Sequence, residues 1–442
     1  MAKVTLVGGG SPLWTPGLLR DIMVNPTLGD TEVVLHDVDR DALDLQLAVA
    51  AALRARTASP VTVTGTTQLD RALDGADHVV VSISTGGLEA MRHDLEIPAA
   101  FGIHQSVGDT VGPGGLARAL RAVPVMTDLA RAVERLAPRA RIINLTNPMT
   151  VLCRAMSQAT SVPVVGLCHE VSNVRAHLAL VLDVPETSLR LDVAGVNHLP
   201  WVVRLDADGE DGLARLARLA ADGPPPPPAG HPGRSTIDRW QVKLALLRLT
   251  GCLPAAGDRH VAEFFPFFLS ATADRGRAWG VELTTVSERR RRRATDIARC
   301  RSLVNRPEIA DLTPSREQLA PLLAALAGGP PARLVVNLPN RGQLPQLPPD
   351  VVVESYVQVD AGGLHPETGV VMPPVVAGWV RRHVENQELT VAAARHGDRR
   401  AALQVLLCDP LLSDLRVAEP LLGALLAAHR QYLPQFAGEW SA

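Results

Sequence analysis

A short apolar run, Lys3 to Val7, passes into Gly8-Gly9-Gly10-Ser11-Pro12 and then into an apolar-periodic segment that reaches Ile22. Strand, glycine turn and helix in that order constrain this chain more than any other feature, because such a unit buries its apolar faces by repetition along a shared sheet. The repetition follows. Glu32 to Leu35 predicts the next strand, ending at His36-Asp37, and Asp41 to Arg56 predicts a helix. Val79 to Ile83 predicts a third strand after the turn-like Asp74-Gly75-Ala76-Asp77, and a helix over Ala117 to Leu136 with a strand over Arg141 to Leu145 continues the alternation. The predicted class is α/β, with a Rossmann-like doubly wound parallel sheet.

After Val202 the texture changes. The run Pro224 to Pro228, within Asp222 to Gly233, cannot continue a helix or an inner strand and predicts a surface loop or hinge. Beyond it, helices are predicted over Ile237 to Leu249, Pro314 to Leu326, Pro373 to His396 and Ala418 to Tyr432, with strands over Arg333 to Asn337 and Val351 to Val359. A chain of 442 residues exceeds what one core usually supports. Two domains are expected: a dinucleotide-binding unit over 1–195 and a mixed α+β, helix-rich unit for substrate and metal over 196–442.

The glycine turn departs from the full dinucleotide fingerprint, since Leu13 stands where a third glycine is expected. Gly8, Gly9, Gly10 and Ser11 would let the backbone approach a pyrophosphate; a plain strand-to-helix turn is the competing reading. Asp37, at the end of the second strand, favours the dinucleotide. Its carboxylate would bind the adenosine ribose and repel a 2′-phosphate, selecting NAD over NADP.

A formal net charge of −2 and an aromatic fraction of 3% give neither nucleic acid nor an anionic membrane anything to bind. A small-molecule partner is expected. The sequence shows no secretion signal and no membrane span, which predicts a cytoplasmic protein. Five cysteines without framework spacing fit a reducing compartment, and four of them read as small buried apolar residues. Cys168 differs, because it lies in Cys168-His169-Glu170-Val171 with a second histidine at His198 in Gly195-Val196-Asn197-His198. Thiolate and imidazole suit a divalent transition metal with coordination positions left open. The run Arg289 to Arg293 could attract phosphate, but a solvated helix face explains it equally simply.

Taken in order, these motifs resemble glycoside hydrolase family 4, the NAD- and divalent-metal-dependent glycosidases. The likeness extends through Gly86-Gly87-Leu88-Glu89 with Glu96-Ile97-Pro98, Gly108-Asp109-Thr110-Val111-Gly112-Pro113-Gly114-Gly115 with Arg118-Ala119-Leu120-Arg121, Asn144-Leu145-Thr146-Asn147-Pro148, and Glu263-Phe264-Phe265-Pro266. The form Cys-His-Glu-Val is similar to that of the α-galacturonidases. Members acting on phosphorylated glycosides carry arginine where this chain has Met91, which turns the expectation away from phosphate.

The resemblance implies hydrolysis of a terminal α-linked galacturonide by oxidation at C3 with NAD, metal-assisted elimination across C1–C2, addition of water and return of the hydride. It implies Cys168 and His198 as ligands of Mn2+ or a similar ion, and Asp258, in Gly257-Asp258-Arg259-His260, as the base at C2. Asp109 would raise the base's proton affinity, and Asn147 would bind the sugar. His169 would serve as an acid or a ring contact, and Glu170 would orient His169 or a metal-bound water. Arg92 is a further candidate for a sugar carboxylate, since guanidinium matches its two oxygens. A homodimer or homotetramer is also implied. Within the family, α-glucuronidase and α-galactosidase stand as alternatives; outside it, the Asn147-Pro148 step leaves an NAD-dependent 2-hydroxy-acid dehydrogenase, although no Gly-Glu-His-Gly-type loop is present.

Overall fold

The computed structural model describes residues 2–223 and 238–440. The proline run expected to form a loop or hinge lies outside the described residues.

Strands β1 (Ala2–Val7), β2 (Thr31–His36), β3 (Thr62–Thr66), β4 (His78–Val81), β5 (Arg141–Asn144) and β6 (Val164–Leu167) are parallel and lie in the order β3-β2-β1-β4-β5-β6. This is the predicted doubly wound sheet. Helices α1 (Thr15–Met23), α2 (Arg40–Thr57), α3 (Leu69–Leu73), α4 (Gly87–Ala100), α5 (Gly112–Leu136), α6 (Met149–Ser157) and α7 (Glu170–Val181) make the connections. Successive side chains of a strand point to opposite faces, so Val79, Val81 and Ile142 enter one core with α5 and α6, while Val80 and Ile143 enter the other with α1 and α2. Burial on both faces explains why the inner strands read as unbroken apolar runs. The sequence reading missed β3 because this edge strand, Thr-Val-Thr-Gly-Thr, is largely exposed and carries no such run.

The sheet then continues with antiparallel strands. β7 (Leu189–Val196) and β8 (Leu199–Ala207) form a hairpin, extended by β9 (Glu210–Asp211) and β10 (Leu253–Pro254); β11 (Ala332–Pro339) pairs with β6 and with β12 (Val352–Asp360), which pairs with β7 and β13 (Gly363–Pro366). All thirteen strands belong to one sheet. The expected boundary at 195/196 falls inside β7, and the sheet runs unbroken across it. Helices α8 (Gly212–Leu219), α9 (Gln241–Thr250), α10 (Asp258–Ala262), α11 (Val286–Asn305), α12 (Leu319–Leu326), α13 (Pro374–His396), α14 (Arg399–Cys408) and α15 (Ala418–His429) supply the predicted helical richness. Among the described residues no helix is long and apolar enough to cross a membrane.

Candidate functional site

In an open parallel sheet a ligand binds outside the carboxyl ends of the strands, at the point where the strand order reverses. Here that point lies between β1 and β4. The sequence-predicted residues gather along this edge: Gly8 to Ser11 follow β1, Asp37 follows β2, Asn147 follows β5, and Cys168, His169 and Glu170 follow β6.

The glycine turn folds back on the sheet. Gly8, at φ +92°, and Gly9 donate their amides to His36 O at 2.9 and 2.8 Å, and a Cβ on Gly8 would lie 2.1 Å from Ser82 O. Packing against the neighbouring strand ends therefore demands glycine before any ligand does. Asp37 accepts the Gly10 amide at 2.9 Å and the Asp39 amide at 3.0 Å. A carboxylate has about four acceptor positions, so these bonds leave room for ribose hydroxyls. The turn and Asp37 fit a dinucleotide.

At the centre, Asp109, His198 and His260 bring one potential ligand atom each to within 4.8 Å of one another. His198 sits in the two-residue turn between β7 and β8 at φ +65°, a left-handed conformation that a non-glycine residue adopts only at a cost of order 1–3 kcal/mol. Its ring lies against that of His260, with centroids 3.7 Å apart and planes tilted by 34°. The Thr110 hydroxyl lies 2.8 Å from His198 Nδ1 and donates to Asp109 Oδ1 at 2.7 Å. Since that hydroxyl has one hydrogen, Nδ1–H must be the donor to it, which leaves Nε2 with its lone pair exposed as a ligand.

Charge in this cluster is arranged for a cation. Burial works to raise the Asp109 carboxyl, but His260, then His198 and Arg118, with the Thr110 hydroxyl, hold it well below the usual carboxylate range. Burial lowers His198, and burial with the neighbouring His198 pushes His260 down to about 3. One ionised carboxylate and two neutral imidazoles are a divalent-metal donor set. His260 Nδ1 is buried without a hydrogen-bond partner among the described residues, as is Asn147 Oδ1. The residues present fit a metal and a polar ligand.

Cys168 was expected to pair with His198 for the metal; the compact cluster of potential ligand atoms joins His198 to Asp109 and His260 and does not include it. Cys168 itself is buried directly after β6. Burial first, then Glu354 and Glu170, push its thiol well above the usual range, so binding a cation would require expulsion of its proton.

His169 is held by two carboxylates, with Nδ1 2.8 Å from Glu317 and Nε2 3.5 Å from Glu170. Burial would lower its pKa, yet Glu170 and Glu317 raise it to about 10. The ring is thus a fixed imidazolium, poorly matched to releasing a proton near neutrality. Glu170 also accepts the Gly257 amide at 2.6 Å, tying the start of α7 to the start of α10. The Asn147 side-chain amide donates to Asp109 Oδ2 at 3.4 Å while its backbone carbonyl accepts Arg118 Nε at 2.8 Å.

Two expected residues have other occupations. Asp258, 3% exposed, accepts the amides of Val242 and Lys243 at 3.1 Å and lies 3.0 Å from the buried Lys243 ammonium. Its carboxylate caps α9 and stands outside the donor cluster. Arg92, expected as a candidate for a sugar carboxylate, pairs with Glu89 at 2.6 Å and Glu96 at 2.9 Å along α4. Residues 89, 92 and 96 share one solvent face of that helix. His260, Thr110, Glu263 and Glu317 were missed, although His260, Thr110 and Glu263 lie in motifs already singled out.

A family model for family 4 glycosyl hydrolases matches residues 3–184, and the model for the C-terminal domain of that family matches residues 193–412. An alpha-galacturonidase of Bacillus subtilis is 32% identical over 449 residues, spanning 96% of this chain and 96% of that protein. A crystal structure of a protein from Bacillus subtilis is 31% identical with a TM-score of 0.89, covering 96% of this chain and 100% of that one. The structure of a 6-phospho-alpha-glucosidase from gut microorganisms, in complex with NAD and Mn2+, has a TM-score of 0.85 over 98% of this chain and 99% of its own. At 21% identity it shows the fold alone.

Proposed function

The chain belongs to the family 4 glycosyl hydrolases, and we propose that it removes a terminal α-linked galacturonic acid residue with the help of NAD and Mn2+. Membership sets aside the 2-hydroxy-acid dehydrogenase reading. The observation that carries the proposal is the convergence of Asp109, His198 and His260 at the carboxyl edge of a dinucleotide-type sheet. A nicotinamide and a metal would share one cleft. The galacturonide is supported by the relative of that name.

Gly8, Gly9, Gly10 and Ser11 would receive the pyrophosphate, and Asp37 the adenosine ribose. His198 Nε2 and the Cys168 thiolate would hold the ion, with Asp109 and His260 within reach of it. When bound, NAD supplies a reversible hydride acceptor for C3 and the metal a Lewis acid for the charge that follows. Asn147 Oδ1 would accept a sugar hydroxyl. His169 would contact the sugar ring, oriented by Glu170 and Glu317. Asp258 remains the proposed base at C2: burial and Asp238 raise it to about 6 against the pull of Lys243, a useful affinity near neutrality. To act it must turn from the amides of α9.

Release of p-nitrophenol from a panel of α-glycosides, with NAD and Mn2+ under reducing conditions, tests the proposal. Turnover of galacturonide supports it; an inert galacturonide beside an active glucuronide or galactoside assigns the chain to one of those alternatives. The homodimer or homotetramer and the cytoplasmic location belong to the same proposal, and analytical ultracentrifugation counts the subunits.

A further inference from the structure

We propose that Glu263 is a positioning residue that sets Asp109 against His260 and so assembles the donor cluster. The inference rests on the metal-site reading above. Glu263 follows α10 directly and is 0% exposed. Its Oε1 accepts two successive backbone amides, Val107 at 2.7 Å and Gly108 at 2.8 Å. Consecutive amides converging on one oxygen form a concave anion site, and here a side chain of the same protein fills it. Gly108 makes that convergence possible at φ +73°, where a side chain would be strained.

The next residue is Asp109. Its direction is therefore dictated by the turn that Glu263 grips. One residue upstream, Ser106 O accepts Arg259 Nη2 at 2.8 Å, the Thr284 amide at 2.9 Å and the Thr284 hydroxyl at 2.7 Å, and the Ser106 hydroxyl donates to Arg259 O. Residues 259 and 263 thus hold the segment 106–108 from both sides of His260. That histidine stands between the two grips and faces His198. Two of the three donors, 151 positions apart in sequence, are connected through one carboxyl group.

Glu263 Oε2 has no hydrogen-bond partner among the described residues, and burial, then the charge of Asp109 over the opposing amides, pushes the carboxyl up to about 8. A carboxamide presents the same Oε1 to the same amides. Glu263→Gln should consequently preserve the cluster, whereas Glu263→Ala removes the grip and Glu263→Asp shortens it.

The test is binding of Mn2+ to the full-length protein under reducing conditions, read from the electron paramagnetic resonance of free ion, with NAD affinity measured in parallel. E263Q is expected to bind Mn2+ within threefold of wild type, and E263A and E263D at least tenfold more weakly, with NAD affinity unchanged in all three. If E263A does not fold, E263D and E263Q carry the comparison. Equal Mn2+ affinity in wild type and E263D would overturn the inference alone. A wild-type protein that binds NAD but no Mn2+ would overturn the metal site and the inference with it.

Discussion

Asp258 and His260 stand two positions apart on one short helix and face opposite structures: the Asp258 carboxylate accepts the Val242 and Lys243 amides, while the His260 ring lies against His198 with centroids 3.7 Å apart. Positions i and i+2 of an α-helix are separated by about 200° around its axis. Packing α10 onto α9 through Asp258 therefore delivers His260 to the site.

That relationship separates two effects of changing Asp258. Removing one member of a buried ion pair typically costs about 3–5 kcal/mol, and Lys243 and Asp258 are both buried. Lys243→Met and Asp258→Asn should each lower stability by roughly this amount in urea denaturation. Only D258N should also abolish exchange of the sugar's C2 proton with solvent; exchange at the wild-type rate would remove Asp258 as the base.

Cys168 should be required for the metal and not for the fold. Cys168→Ser replaces a thiol that burial keeps protonated, so little stability is lost without metal. Manganese affinity should fall by at least about tenfold to a hundredfold, the range seen when even supporting partners of a metal are removed. Isothermal titration with Mn2+ checks this, and an unaltered affinity would transfer the site to Asp109, His198 and His260 alone.

The charge on His169 predicts a pH dependence. Its pKa is raised from 6.5 to about 10 by Glu170 and Glu317 against burial. A raised imidazole stabilises the fold fully below the unfolded value of 6.5, and that contribution is lost as pH climbs through about 10. The imidazolium should accordingly persist through neutrality in a histidine NMR titration. In Glu317→Gln it should titrate at lower pH, and KM for a galacturonide should begin to rise at lower pH than in wild type. A KM profile unmoved by E317Q would separate His169 from the sugar.

Asp37 provides a test of cofactor choice. Hydrogen bonds to a charged group contribute about 1.5–3 kcal/mol, so Asp37→Ala should weaken NAD by roughly tenfold to a hundredfold. It should also narrow the preference over NADP, because the repelling charge is gone. Fluorescence titration with both dinucleotides reads both effects.

Much of this architecture was legible in the amino-acid order. Apolar runs at β1, β2, β4 and β5, the glycine turn and the placement of Asp37 announced a doubly wound sheet with its reactive edge at the strand ends. These signals are local, since strand and helix periods and turn chemistry act over a few residues. The motifs around Asp109, Asn147, Cys168 and His198 likewise lie at the ends of elements whose order places them on one edge.

What the sequence by itself determined was the fold class and the set of segments that meet; which side chain of each segment faces the others was decided only by tertiary packing. Arg92 lies on an amphipathic helix and finds its partners on its own solvent face. Asp258 is drawn to the amides of α9, and His260 is turned inward as a consequence. Glu263 shows the same dependence most clearly: its motif is visible in the sequence, but its work exists only because the chain brings residues 107 and 108 to its oxygen across 156 and 155 positions. Such a contact has no local period to betray it, and only the packed chain makes it.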